Sequence, residues 1–331
     1  MHKVEKIMRR NLFLFLLCSA ALVGAGPRAA LAQAKLETVR LAVLAPSALL
    51  WLHAIAEERR MYAARGISVD VLQTASSPAL LQAVSTGSAD AGVSLGDVVI
   101  RAIDQGAPVV ITGAVLGRTI LRLMGAPGIK TAAELAGKPV TAGAVEGGTA
   151  NLLRYQLKNL NVDPRGVQMV SIANSRDRLL SLRAGQVQGA LMLAPFDTLG
   201  ERDNMKILDV YKEEYVQTPL IVNTAWAQKN RRPAVAVTLA LRDAAEWINN
   251  TANRAEAGKI LANYTKSAAD VADASYQFVI IEQKAIPRDL MLSAAGLQNI
   301  MAIDDAIALG SSPRKPFALE RYFDRSFLAG K

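Results

Sequence analysis

Residues 81–93 read LQAVSTGSADAGV, and residues 179–191 read LLSLRAGQVQGAL. Each runs from a helically spaced apolar stretch through a glycine (Gly87, Gly185) and a short polar link into a small or apolar run. A glycine just past the last periodic residue stops a helix because it accepts left-handed backbone angles without a side-chain clash. A helix, a glycine stop and a buried strand, met twice about 98 residues apart, predict two related α/β units.

Outward from these junctions the same alternation continues. Apolar, β-branched runs at 39–44, 67–72, 91–93 and 109–115 read as strands, with helices predicted at 47–65, 78–86 and 97–104. A second round follows: strands at 121–125, 139–142, 167–172 and 189–193, with helices at 131–135, 149–160 and 176–184. Strands alternating with helices at this pitch predict mostly parallel sheets with helices on both faces. After Tyr215 the text changes to one strand at 219–222, helices at 234–249, 254–264, 268–281 and 289–301, and a closing segment at 317–328. So helical a tail predicts a return that completes and braces the first unit. The expected organisation is lobe 1 over 35–117, lobe 2 over 118–217 and the lobe 1 return over 218–331. Crossings near 116–120 and 217–219 would form the hinge.

The N-terminus predicts the compartment. Lys3, Lys6, Arg9 and Arg10 precede an apolar run at 12–23, and small residues follow to Ala34. A membrane-spanning helix needs about 20 apolar residues, so residues 1–34 read as a cleaved signal peptide for a secreted, periplasmic protein. Cys18 is the one cysteine and lies in this segment behind Leu17, not behind the small residue of a lipoprotein site. The expected mature chain has no cysteine, which excludes disulfides, thiol catalysis and cysteine–zinc sites. Removing five basic residues and one acid with the leader lowers the formal charge from +9 to +5. No basic stripe with interleaved aromatics exists, so nucleic acid is not an expected partner. His53 would be the only remaining histidine, too little for a metal centre or a Ser-His-Asp site.

Four stretches carry a family resemblance: GSADAG at 87–92, GIKTAAELAGKPV at 128–140, EGGTANLL at 146–153 and ALRDAAEWIN at 240–249. In this order and spacing the chain, from about Val39 to Leu328, resembles the type II periplasmic solute-binding proteins. The branch is the one serving nitrate, taurine and alkanesulfonate importers, with its thiamine-pyrimidine-binding relatives. The resemblance implies an α/β, two-lobed periplasmic-binding-protein type II fold with the ligand cleft between the lobes. Two departures stand out. Gln188 occupies the second junction where relatives often have an acid, and Leu193-Ala194-Pro195-Phe196 replaces a Trp-Asp-Pro-Tyr-like loop.

In such folds ligands sit where strand ends lead into helix N-termini, whose free N–H groups and partial positive charge favour anions. Four loops are therefore candidates. In the first, Ser47 is a ligand donor or a plain helix cap, and Trp51 an apolar wall or a core residue. In the second, Ser94, Gly96 and Asp97 offer a ligand for an ammonium group, or Asp97 is a helix N-cap. The third, with Gly147, Gly148, Thr149 and Asn151, reads as an anion cradle or as a glycine turn that only starts a helix; it lacks the lysine of a nucleotide-binding loop. The fourth offers Pro195 and Phe196 for apolar contact. Arg118, at a predicted crossing, is an anion partner or an ordinary surface arginine.

The resemblance implies a binding protein without cofactor or metal, working as a monomer with a small-molecule ligand and an ABC permease in the inner membrane. The implied ligand is a small anion: a sulfonate, nitrate or a carboxylate. A pyrimidine held between Trp51 and Phe196 is the alternative ligand. From another class, a thiamine-pyrimidine synthase-like enzyme shares the fold, but those relatives are cytosolic and carry a cysteine-rich, iron-linked motif. A ligand sensor for a membrane receptor is the third reading.

Overall fold

The computed structural model describes residues 36–307 and 316–330, so the signal peptide expected over 1–34 lies outside the described residues. Strands rich in Val, Ile and Leu build two five-stranded sheets. The first contains β1 (Glu37–Val43), β2 (Ile67–Gln73), β3 (Ala91–Val93), β4 (Val109–Leu116) and β10 (Thr218–Asn223), in the order β2-β1-β3-β10-β4. The second contains β5 (Arg122–Gly125), β6 (Pro139–Thr141), β7 (Gln168–Val170), β8 (Gly189–Met192) and β9 (Lys206–Val210), in the order β7-β6-β8-β5-β9. In each sheet one strand opposes the rest: β10 is antiparallel to β3 and β4, and β5 to β8 and β9.

Helices α1 (Trp51–Glu58), α2 (Met61–Ala64), α3 (Ser77–Ser85) and α4 (Gly96–Asp104) connect the strands of the first lobe. In the second lobe the main helices are α5 (Gly148–Asn159), α6 (Ser175–Arg183) and α7 (Phe196–Arg202). The return segment adds α8 (Thr224–Lys229), α9 (Arg231–Ile248), α10 (Arg254–Thr265), α11 (Ala269–Tyr276) and α12 (Ala294–Ala306). Its last part, residues 316–330, lies along the free edge of β4. Ile111 N–H donates to Tyr322 O at 2.9 Å, and Asp324 N–H to Ile111 O at 3.0 Å. A covered edge cannot pair with another chain.

The two junctions that open the sequence occupy equivalent places. Gly87 (φ 79°) and Gly185 (φ 67°) are both left-handed. Each donates its N–H to the carbonyl three residues back, Val84 and Leu182, at 3.1 Å in both cases. Three residues on, Asp90 N–H donates to Arg40 O on β1, and Gln188 N–H to Pro139 O on β6. The acid at the first junction has a partner: Arg40 grips the buried Asp90 carboxylate at 2.6 Å. At the equivalent place in the second lobe stands Pro139, which has no charge to offer, so the neutral Gln188 fits there.

Several expected elements differ in extent. The helix expected over 47–65 is a 3₁₀ turn (Ala48–Leu50) followed by α1 and α2, split where Arg60 turns left-handed (φ 54°). The helix expected over 268–281 is α11 continued by a π turn, Gln277–Glu282. The helix expected from 289 starts at Ala294, because Leu290 is left-handed (φ 56°) and Ser293 caps the first turn by accepting from Gly296 N–H at 3.1 Å. Among the described residues no helix is long and apolar enough to cross a membrane.

Candidate ligand cleft

A cavity of about 60 Å³ opens at the carboxyl ends of six strands, β1, β2 and β3 of the first lobe and β6, β7 and β8 of the second. That space suits a few water-sized groups; pockets for drug-sized ligands run to about 300–1,000 Å³. Larger depressions of about 680 and 740 Å³ lie over the C-terminal segment and beside Lys158. The smaller cavity is the candidate because of the chemistry around it. Three helices begin at its wall. Ser76 caps α3 and accepts from Ala79 N–H at 3.3 Å, and Asn174 caps α6 and accepts from Asp177 N–H at 3.0 Å. At α5 the cap position is Gly147, which has no side chain to occupy the free N–H groups. Ser47 and Ser77 add hydroxyls to the lining.

The decisive group is Arg178, buried at 4 % exposure and lining the cavity. It belongs to the first turns of α6, where the helix presents its positive end, an unfavourable place for a cation. Its guanidinium donates only to backbone carbonyls: Nε to Ile172 O and Nη2 to Ala173 O, both at 3.0 Å, and Nη1 to Leu191 O. Among the described residues no carboxylate pairs with it. Burial pushes its pKa down to about 10, so it stays charged at neutral pH. A buried cation without a counter-ion is costly, and an arginine has five N–H donors, of which the carbonyls engage only some. An anion in the cavity would supply the missing charge.

A family model described as the NMT1-like family matches residues 32–262. The chain belongs to the NMT1-like family. No curated protein matches its sequence. Among solved structures it superposes on a protein from Bordetella bronchiseptica RB50 with a TM-score of 0.77 and 17 % identity, covering 89 % of this chain and 96 % of that one. The alkanesulfonate-binding protein of Xanthomonas axonopodis pv. citri, solved with MOPS bound, gives 0.68 and 18 %, with 83 % and 94 % covered. The periplasmic nitrate-binding protein of Synechocystis PCC 6803 gives 0.70 and 14 %, with 89 % and 88 % covered. At such identities the likeness is one of fold: two lobes in the periplasmic-binding-protein arrangement.

In this NMT1-like chain the expected site residues divide into two groups. Ser47, Gly147 and Thr149 line the cavity, as do Gly143 and Leu193. Gly148 and Asn151 face elsewhere, onto Asp97. Asp97 is not the cap of α4, whose cap position is Leu95; it lies in the first turn, fully buried. One of its carboxylate oxygens accepts from Arg101 at 3.0 Å and, across the lobes, from Asn151 Nδ2 at 3.1 Å. The other lies so close to Gly148 that a Cβ added there would sit 1.6 Å away. Part of the expected anion cradle is thus occupied by the protein's own carboxylate, whose pKa burial raises.

The expected aromatic walls are not assembled. Trp51 is fully buried, gives its indole N–H to Ala257 O at 3.0 Å and meets Tyr276 edge-on. Phe196 packs into the core of the second lobe with Met124 and Leu182. Neither lines the cavity: Trp51 packs against the helices of the return segment and Phe196 in the core of the second lobe. Pro195 is buried outside the cavity lining, and the loop contributes backbone instead: Ala194 O accepts from Ala48 N–H across the lobes at 2.9 Å. Arg118 is half-buried at the crossing and donates to Lys212 O at 3.0 Å, away from the cavity. Gly96 meets the backbone of Val216, where any Cβ would collide, and Ser94 is buried with its hydroxyl unpartnered. Arg178, Ser76, Ser77, Asn174 and Gln217 were missed. The signal that could have found two of them, Ser76 and Asn174, is positional: both strand-to-helix loops preceding the paired junctions end in a Ser or Asn cap.

Proposed function

We propose that this chain is the solute-binding component of an ABC-type importer, acting as a monomer in the periplasm and capturing a small anion by closure of two lobes. The single observation that carries the ligand class is Arg178, a buried guanidinium beside the cavity with no carboxylate partner among the described residues. Three helix N-termini at the same wall add to the positive potential. The hinge is assigned to the crossings at 116–120 and 217–219, and the lobes to 35–117 with 218–331, and to 118–217. Structural relatives named for alkanesulfonate and nitrate agree with an anionic solute. The closed form would be what an inner-membrane permease recognises. The loss of Trp51 and Phe196 as ring walls weighs against a pyrimidine.

The test is a thermal-shift and calorimetric screen of residues 35–331 against nitrate, short sulfonates, bicarbonate, carboxylates, amino acids and pyrimidines. A solute at about 100 times its Kd should add about 2.7 kcal/mol, a shift of several degrees. Arg178→Met should weaken the best anion by about 100-fold or more, as expected for loss of a buried charge partner, with the circular dichroism spectrum unchanged. Response to a pyrimidine alone would overturn the anionic reading.

A further inference from the structure

Gln217 stands at the crossing from the second lobe into β10, is 2 % exposed and lines the cavity. Its Oε1 accepts from Ile120 N–H at 2.8 Å. Ile120 belongs to the other crossing, so one side chain ties both strands of the hinge. A backbone N–H can only donate, which fixes the orientation of the amide: oxygen on Ile120, nitrogen away from it. That nitrogen, Nε2, is buried and among the described residues has no hydrogen-bond partner. Buried amide donors without partners are few in folded proteins and cost stability. The backbone of Gln217 is already engaged, its carbonyl accepting from Gly96 N–H at 3.0 Å. Beside it, on β3's continuation, the Ser94 hydroxyl is likewise buried and unpartnered, while Ser94 N–H donates to Pro219 O at 3.1 Å.

We propose that Gln217 is a recognition residue at the hinge, whose Nε2–H donates to an acceptor oxygen of the solute anchored by Arg178. The inference rests on the small-anion reading and narrows it. The solute is a compact oxyanion, with acceptor oxygens on more than one side, and not a spherical halide. Arg178 supplies charge from the second lobe, and Gln217 supplies direction from the hinge. Binding then engages the same side chain that holds the two crossings together.

The experiment titrates nitrate and methanesulfonate, with chloride as the spherical control, into wild type, Arg178→Met, Gln217→Met and Gln217→Glu by calorimetry. Both probes remain anions between pH 5.5 and 8, so any pH effect belongs to the protein. Wild type should bind at least one oxyanion and not chloride. Gln217→Met should bind it about 10- to 100-fold more weakly, the value of a hydrogen bond to a charged group. Gln217→Glu keeps the acceptor for Ile120 N–H but loses the donor. Its affinity should rise at least about tenfold from pH 8 to pH 5.5, as the carboxyl gains a proton to donate, while wild type stays flat. If wild type binds neither oxyanion, this inference falls, and the small-anion reading falls with it when the wider screen of sulfonates, bicarbonate and carboxylates is blank as well. If Arg178→Met abolishes binding but Gln217→Met keeps it within threefold, only the inference falls. A weak Gln217→Met beside a pH-flat Gln217→Glu would mean that Gln217 acts through Ile120 alone, which also overturns it.

Discussion

Arg178 and His53 are two buried titratable side chains with opposite lessons. In the string SRDRLLSLR at 175–183, Arg178 is one of three arginines, and nothing in the spacing sets it apart from Arg176 or Arg183. Only the tertiary placement of α6 against β8 turns it inward, where Leu191 O receives it. Trp51 errs the other way: a large aromatic after a strand invites a ligand reading, yet α1 packs it under α10. His53, already unfit by its isolation in the sequence for a metal or triad role, is a packing residue. It is 5 % exposed, beside the Tyr62 hydroxyl at 3.1 Å, and burial holds its pKa down to about 4. Between pH 4 and about 6.5 the unfolded chain therefore carries a proton that the folded chain refuses, so stability falls as pH drops through that window. His53→Gln removes this term. Chemical denaturation at pH 7 and pH 4 should show the gap between the two proteins moving about 3 kcal/mol in the variant's favour. Asp197, which burial pushes up to about 6, titrates in both and cancels.

Helix α5 shows what a sequence pattern can and cannot specify about an element. Two glycines before a polar helix promise a helix start, and the structure has one at Gly148 with no side-chain cap. The sequence does not say which anion will face it. Gly147 lines the cavity, whereas Gly148 is set against Asp97 of α4, on the opposite lobe. The small size of Gly148 is thus a packing requirement between lobes. Gly148→Ala should destabilise the protein by on the order of 3 kcal/mol, the upper range for forcing a methyl into a filled site. In the double variant with Asp97→Ala, which removes the clashing oxygen, thermal denaturation should show clearly less than the sum of the single losses. The glycine stops at 87 and 185 were fully readable, because a left-handed helix end leaves few other residue choices. The strand ends and the short 3₁₀ turns were not, since tertiary contacts set them.

At the scale of the whole molecule, the alternation of strands and helices announced the fold class, and after residue 217 the chain adds β10 and a covering segment to the first sheet. That this segment closes a sheet edge was not legible. The contact depends on backbone groups of Ile111, Tyr322 and Asp324, which carry no sequence signal. Removing residues 317–331 should bare β4 and the seats of Phe323 and Phe327. The expected result is a fall in soluble yield and aggregates on size-exclusion chromatography; a monodisperse product of normal thermal stability would contradict it. The two sheet orders, β2-β1-β3-β10-β4 and β7-β6-β8-β5-β9, have a further consequence. Place β1 on β6, β2 on β7, β3 on β8 and β4 on β9, and the opposing strands β10 and β5 coincide. In chain order, β1 to β5 and β6 to β10 are then two copies of one five-strand motif that have traded their last strands. Neither copy can finish its own sheet, so the first sheet lacks a strand until about two thirds of the chain has been made, and separating the halves would ruin both.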